Sequence, residues 1–194
     1  MKIVESNLRF RNKLKKFKEP SMIVIHHAAH SSATVLDIHR WHLKNGWSGF
    51  GYHFLVTKDG RIHRGRPENA IGAHTKGYNN ISLGICMQGD YEVEKVPEIQ
   101  FKALMELCQY LCEKYNVGTI KGHRELQANN CPGLNFPLGA IRNRTFDKID
   151  TYTVKSGDTL WSIAKSFNIS VDILISLNGL NGSLIYPNQV LRIM

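Results

Sequence analysis

Hydrophobic residues recur along this chain with two different spacings. Met22-Ile23-Val24-Ile25 is a β-branched run that ends in His26-His27, and it predicts a buried strand. Gly51 to Thr57 predicts a second strand, with Tyr52 and Phe54 on one face and His53 and Leu55 on the other. Lys58-Asp59-Gly60 then makes a tight turn into Arg61-Ile62-His63-Arg64. Ile81 to Met87 predicts a further buried strand, in which Gly84 marks the close approach of a neighbour or ligand. Helical spacing appears at Leu36, His39, Arg40 and Leu43, behind the capping residues Ser31, Ser32 and Thr34. It returns from Ile99 to Tyr115 through Phe101, Leu104, Leu107, Cys108, Leu111 and Cys112. Phe10, Leu14 and Phe17 also fall at helical spacing among basic residues. They predict a short amphipathic segment packed on its own domain with its basic face solvated. Residues 65–80, rich in Gly and Asn, read as loop.

Strands alternating with helices predict a mixed α/β domain over residues 1–144, a central sheet flanked by helices. Past Arg144 the pattern changes. Residues 145–151 read as a linker, and residues 152–194 give a small unit of βααβ order. Its strand at Tyr152-Thr153-Val154 leads through Lys155-Ser156-Gly157-Asp158 to a helix carrying Leu160, Ile163, Ala164 and Phe167. Ser170 caps a second helix carrying Val171, Leu174 and Leu177, and Gln189 to Ile193 closes the unit. Trp161 reads as part of its core. With neither cysteine nor histidine, this unit depends on packing alone.

Charge separates the two parts. Residues 1–144 carry the whole net charge of +9, residues 145–194 balance to zero, and all nine histidines lie at or before His123. A basic first domain suits a polyanionic partner. Nucleic acid is the disfavoured one, because Trp41 and Trp47 sit beside a helix and are not interleaved with the positive charge. No run approaches eighteen apolar residues, and the first twenty are basic with no apolar core. The expectation is therefore no membrane span and no signal peptide, with synthesis in the cytoplasm and action after release. No oligomerisation pattern appears, so a monomer is expected. Cys86, Cys108, Cys112 and Cys131 lack disulfide-framework spacing, and Cys108 and Cys112 read as core positions one helical turn apart.

The chemistry concentrates between Gly122 and Gly133. His123 and Cys131 stand eight positions apart around a turn marked by Pro132-Gly133. A neutral imidazole and a thiolate suit zinc, which in catalytic sites takes three protein ligands and leaves a fourth position for water. His26 is the leading third ligand. Strand alternation excludes His26 and His27 acting together but does not choose between them.

Five ordered motifs carry a resemblance: Ile25-His26-His27, Gly51-Tyr52-His53-Phe54, Gly72-Ala73-His74-Thr75-Lys76-Gly77-Tyr78-Asn79, Gly122-His123-Arg124-Glu125 and Cys131-Pro132-Gly133. From about Ile23 to Pro137 the chain resembles the zinc-dependent N-acetylmuramoyl-L-alanine amidases of phages, which share a fold with peptidoglycan recognition proteins. The resemblance implies one Zn2+ on His26, His123 and Cys131, with Tyr52 catalytic and His74, Lys76 and Asn79 on the wall of the peptidoglycan cleft. Some relatives carry glutamate where this chain has Gly84, and many carry lysine or threonine where it has Asn129. Tyr52 and His74 remain as candidate catalytic groups.

Residues 152–194 look like a single LysM module. That likeness implies binding of N-acetylglucosamine-containing glycan between Gly157, Asp158, Thr159 and Leu160 on one side and Ile185, Tyr186 and Pro187 on the other. Together the two resemblances imply a peptidoglycan amidase acting as a phage or prophage endolysin. The alternatives are a bacterial autolysin, a non-catalytic peptidoglycan binder, or a hydrolase using Cys131 as nucleophile.

Overall fold

A computed structural model describes residues 1–17, 19–146 and 151–193. The chain divides into two compact units, Met1–Phe146 and Asp147–Met194. The expected linker shrinks accordingly, because a helix continues through Phe146 and a strand begins at Thr151. Residues 147–150 of that linker lie outside the described residues.

The first unit is built on a six-stranded sheet. Its strands are β1 (Ile3–Glu5), β2 (Met22–His27), β3 (Phe54–Val56), β4 (Ile62–Arg64), β5 (Ser82–Met87) and β6 (Ile120–Gly122), in the spatial order β1-β4-β3-β5-β2-β6. Only the β3–β4 hairpin is antiparallel. The central strands β2 and β5 pair from Met22 with Ser82 to His27 with Met87. Both are apolar and buried, as parallel strands covered on two faces must be.

Ile23, Ile25, Leu83, Ile85 and Met87 face helices α2 (Glu98–Tyr115) and α3 (Leu138–Phe146), where Leu104, Leu107, Cys108, Leu111 and Ile141 complete the main core. The opposite face packs Leu55 and Cys86 against Phe50 and against Val35 and Ile38 of helix α1 (Val35–Lys44). Thr34 and Asp37 cap α1 reciprocally, and Asn116 ends α2 in the left-handed conformation.

Several expectations change. The segment around Phe10, Leu14 and Phe17 is no helix but an extended strap, tied by Arg11 N–H to the Ser48 carbonyl and by Ile71 N–H to the Lys15 carbonyl. Phe10 and Phe17 still pack inward, edge-on to His39 and His53. Helix α1 buries Val35, Ile38, His39 and His42, leaving Leu36 exposed, so its inner face is partly imidazole. The strand expected from Gly51 begins only at Phe54, because the chain bends at Tyr52 and His53. That bend breaks the alternation and puts Tyr52 beside Leu55 and Cys86, not beside Phe54. Strand β1 and helix α3 have no counterpart in the pattern reading. Gln100 is fully buried within the apolar face of α2, where it bonds the carbonyls of Val56 and Gln88 and accepts from the Tyr91 hydroxyl.

The second unit has the expected βααβ order. Strand β7 (Thr151–Thr153) pairs antiparallel with β8 (Val190–Arg192), and helices α4 (Leu160–Ser166) and α5 (Val171–Asn178) are capped by Thr159 and Ser170. Val154, Leu160, Ile163, Ala164, Leu174, Leu191 and Ile193 form its core. Trp161 does not join them. It is 63% exposed, with the Lys165 ammonium over its ring. Among the described residues no single helix is long and apolar enough to cross a membrane.

Several buried histidines serve as fixed hydrogen-bond acceptors. His42 Nδ1 accepts from Gly51 N–H, and His53 Nδ1 accepts from Gly84 N–H while its Nε2 meets the Ala70 carbonyl. Burial pulls both rings from the usual 6.5 down to about 4. Because the folded-state value is the lower one, the unfolded chain takes up protons first as pH drops. Their stabilisation is complete above pH 6.5 and is lost progressively toward pH 4, on the order of 2 kcal/mol for each ring. Thermal unfolding of metal-free protein should show a midpoint that declines between pH 7.5 and 4.5; a flat midpoint across that range would contradict the assignment.

Candidate metal and amidase site

Three chain segments converge at the carboxyl end of β2, the edge at which open α/β sheets commonly place their ligands. His26 is the penultimate residue of β2. Strand β6 lies beside it with Ile25 opposite Gly122, so His123, the first residue of a short 3-10 turn over His123–Glu125, emerges next to His26. Their ring centroids are 4.5 Å apart.

The chain then doubles back. Arg124 N–H bonds the Cys131 carbonyl, Gly133 N–H bonds the Asn130 carbonyl, and the Arg124 guanidinium reaches the Gly133 carbonyl at 2.8 Å. Asn129 Oδ1 receives Cys131 N–H at 2.9 Å. Glu125 accepts from Gly122 N–H and pairs with Arg142, anchoring the turn from behind.

The result brings ligand atoms of His26, His123 and Cys131 within 4.8 Å of one another, a group able to hold a metal ion. His26 Nδ1 lies 3.7 Å from Cys131 Sγ, which also accepts from His27 N–H at 3.4 Å. His27 itself turns away, as alternation requires: its Nδ1 accepts from Tyr91 N–H and its ring stacks on Tyr91. Burial first, then the neighbouring rings His74 and His123, push the His26 pKa well below its ordinary value, so the ring stays neutral and its lone pair is free. Burial also raises the Cys131 thiol to about 12, the reverse of an activated nucleophile. An adjacent cation removes that proton readily.

Tyr52 stands beside this cluster, its ring 5.0 Å from that of His26 and 5.6 Å from both His42 and Phe50. Burial holds its phenol well above the usual value, which keeps it a hydrogen-bond donor. The other cleft candidates fare differently. His74 is buried behind His26, with Nδ1 at 3.1 Å from His26 Nε2, and its own pKa is lowered, mainly by burial. It backs the His26 ring and does not line an open wall. Asn79 spends its side-chain oxygen on the N–H groups of His74 and Thr75, both at 2.8 Å, and so cinches the loop. Lys76 is exposed, and its carbonyl accepts from Gln127. Gln127, which sequence reasoning missed, meets His123 Nε2 at 2.7 Å. The expected neighbour of Gly84 is the His74 ring: a Cβ at residue 84 would lie 2.5 Å from His74 Cδ2.

In the second unit, Val154 N–H bonds the Gln189 carbonyl and Asn188 N–H bonds the Val154 carbonyl, drawing together the two loops named above. Gly157, Thr159, Tyr186 and Pro187 are exposed there. Leu160 is a correction. At 3% exposure it belongs to the core, because it opens α4 on the inward side. Asp158 accepts from Lys155 N–H and the Tyr152 hydroxyl, Thr159 caps α4, and Ile185 packs partly on the core. The loops thus offer backbone and the Tyr186 ring more than free polar side chains.

Residues 16–134 match the family model of N-acetylmuramoyl-L-alanine amidase, and residues 152–193 match that of the LysM domain. The endolysin of Klebsiella phage KP32 is 33% identical over 128 residues, covering 62% of this chain and 85% of that one. The solved N-acetylmuramoyl-L-alanine amidase LysC of Clostridium intestinale URNW superposes with a TM-score of 0.73 at 42% identity, over 74% of this chain and 97% of that one. Drosophila peptidoglycan recognition protein LB, solved as a mutant in complex with tracheal cytotoxin, aligns at 27% identity with a TM-score of 0.65, over 72% and 92% of the two chains. The chain belongs to the N-acetylmuramoyl-L-alanine amidases. It is a phage-type peptidoglycan amidase followed by a LysM domain.

The Asn79 clamp yields a direct test. Asn79→Ala removes one acceptor from two backbone donors and should cost about 1–3 kcal/mol in urea unfolding. Hydrogen exchange at the His74 and Thr75 amides should accelerate in parallel, and unchanged protection at both would refute the clamp.

Proposed function

We propose that this amidase holds one zinc ion on His26, His123 and Cys131 and cuts the bond between N-acetylmuramic acid and the L-alanine of the stem peptide. The observation that carries this reading is the convergence of two imidazoles and one thiol within 4.8 Å, beside the protonated phenol of Tyr52. Two nitrogens and a sulfur are a donor set suited to zinc, and three protein ligands leave a position for water. When bound, zinc supplies Lewis acidity and a water whose pKa is near 7.

This chain's own groups do the rest. The burial that keeps His26 neutral leaves it ready as a ligand without a proton to displace. The Tyr52 hydroxyl donates a hydrogen bond to the amide oxygen as negative charge gathers there. Gly84 offers no side chain, and Asn129 is occupied with Cys131 N–H, so neither supplies a proton-transfer group. The high pKa of Cys131 argues against the cysteine-nucleophile alternative, and the presence of all three donors argues against a silent binder.

Residues 1–146 then form the catalytic domain and the second unit the wall anchor, which binds N-acetylglucosamine-containing glycan through the loops at Gly157 to Thr159 and Ile185 to Pro187. Tethering an anchor to a hydrolase raises its effective concentration on an insoluble substrate.

Digestion of purified bacterial cell walls tests the reading. New N-terminal alanine without new reducing ends is expected, abolished by chelation and restored by zinc; wall binding with no new termini would sink it. Tyr52→Phe should lower kcat by about 10²–10³ with KM little changed. Full turnover in that variant would remove Tyr52 from the chemistry.

A further inference from the structure

His26 and His123 are each held by a side chain to which the amidase reading gives no task. An imidazole offers one nitrogen to an ion only when the proton sits on the other, so the group that accepts a hydrogen bond from that second nitrogen selects the tautomer. At His123 this group is Gln127. Its Oε1 lies 2.7 Å from His123 Nε2, and its amide nitrogen donates to the Lys76 carbonyl at 3.3 Å. The second contact orients the carboxamide, since only its NH2 end can donate to a carbonyl. The oxygen end therefore faces His123, Nε2 carries the proton, and Nδ1 is left bare.

At His26 the same result comes from the 72–79 loop. His26 Nε2 lies 3.1 Å from His74 Nδ1 and 3.3 Å from Thr75 Oγ1, while His26 Nδ1 looks toward Cys131 Sγ. His74 accepts from His26 Nε2 when its own proton sits on Nε2 and its Nδ1 is bare, with the Thr75 hydroxyl oxygen as a second acceptor within reach. With Nδ1 turned to His26 and Thr75, the buried Nε2 is the ring nitrogen left to the backbone of Ser82, which interacts with this ring. The ring also needs a slot. A Cβ at Gly72 would approach His74 Cδ2 to 2.4 Å and one at Gly84 to 2.5 Å.

We propose that His74 and Gln127 are positioning residues that lock His26 and His123 in the tautomer presenting Nδ1, and that residue 84 is glycine to admit the His74 ring. The proposal rests on the metal reading given above. Two ligands on different segments are thus set by side chains that never touch the ion.

The test uses full-length protein stripped of metal, with zinc affinity measured by competition against a chromophoric chelator and the visible spectrum recorded after cobalt substitution. Gln127→Ala should weaken zinc binding 10–100-fold, and Gln127→Glu should restore it, because a carboxylate accepts from the same nitrogen. His74→Ala and Gly84→Ala should each weaken binding and shift the cobalt bands, although Gly84 contacts no ligand. Gln127 lies in a partly exposed turn, so its two variants decide the matter even if His74→Ala does not fold. Wild-type affinity and an unshifted spectrum in Gln127→Ala and Gly84→Ala would overturn the proposal while leaving the metal site standing. Wild-type protein that takes up no zinc would overturn the metal reading, and this one with it.

Discussion

The lone pair of the neutral imidazole is the constraint on which this molecule turns. His39, His42 and His53 each use Nδ1 to accept a backbone N–H, from Phe50, Gly51 and Gly84 respectively, and His27 does the same for Tyr91. Phe50 and Gly51 immediately precede Tyr52, so helix α1 suspends the approach to that residue through two rings. Burial keeps the rings unprotonated, and their lone pairs satisfy the N–H groups of Phe50, Gly51 and Gly84 around the bend at Tyr52 and His53. Scaffold and site therefore answer to one chemical condition: an imidazole without its second proton.

Much of this was legible in the residues. The runs at Met22–His27 and Ser82–Met87 lie in strands covered on both faces, so their apolar continuity states their burial directly. Helix α2 and the βααβ unit are likewise governed by local periodicity. What failed to show is what tertiary contacts decide. Phe10, Leu14 and Phe17 have helical spacing but pack as an extended strap, because backbone partners at Ser48, Asn69 and Ile71 lie alongside. Tyr52 leaves its expected face because His53 turns inward to bond Ala70 and Gly84, and no pattern of polarity encodes that bend.

The site divides the same way. His123 and Cys131 announce themselves by residue type, whereas the strand end offers His26 and His27 equally and only the family resemblance chose His26. Gln127 and Thr75 carry no such mark, since amides and hydroxyls are common in loops and their roles come from partners distant in sequence. One signal was available and incomplete. Gly84 pointed to a close neighbour, but only the fold supplies its identity as the ring of His74.

His26 and Cys131 are separated by 105 positions. An ion joining them would close the greater part of the first unit into a ring, doing for a cysteine-poor chain what a long-range disulfide does for a secreted one. The entropy of the open chain would fall by the logarithm of that span. Loss of the ion would then unlatch the scaffold as well as silence the chemistry, giving the molecule a lifetime set by metal supply.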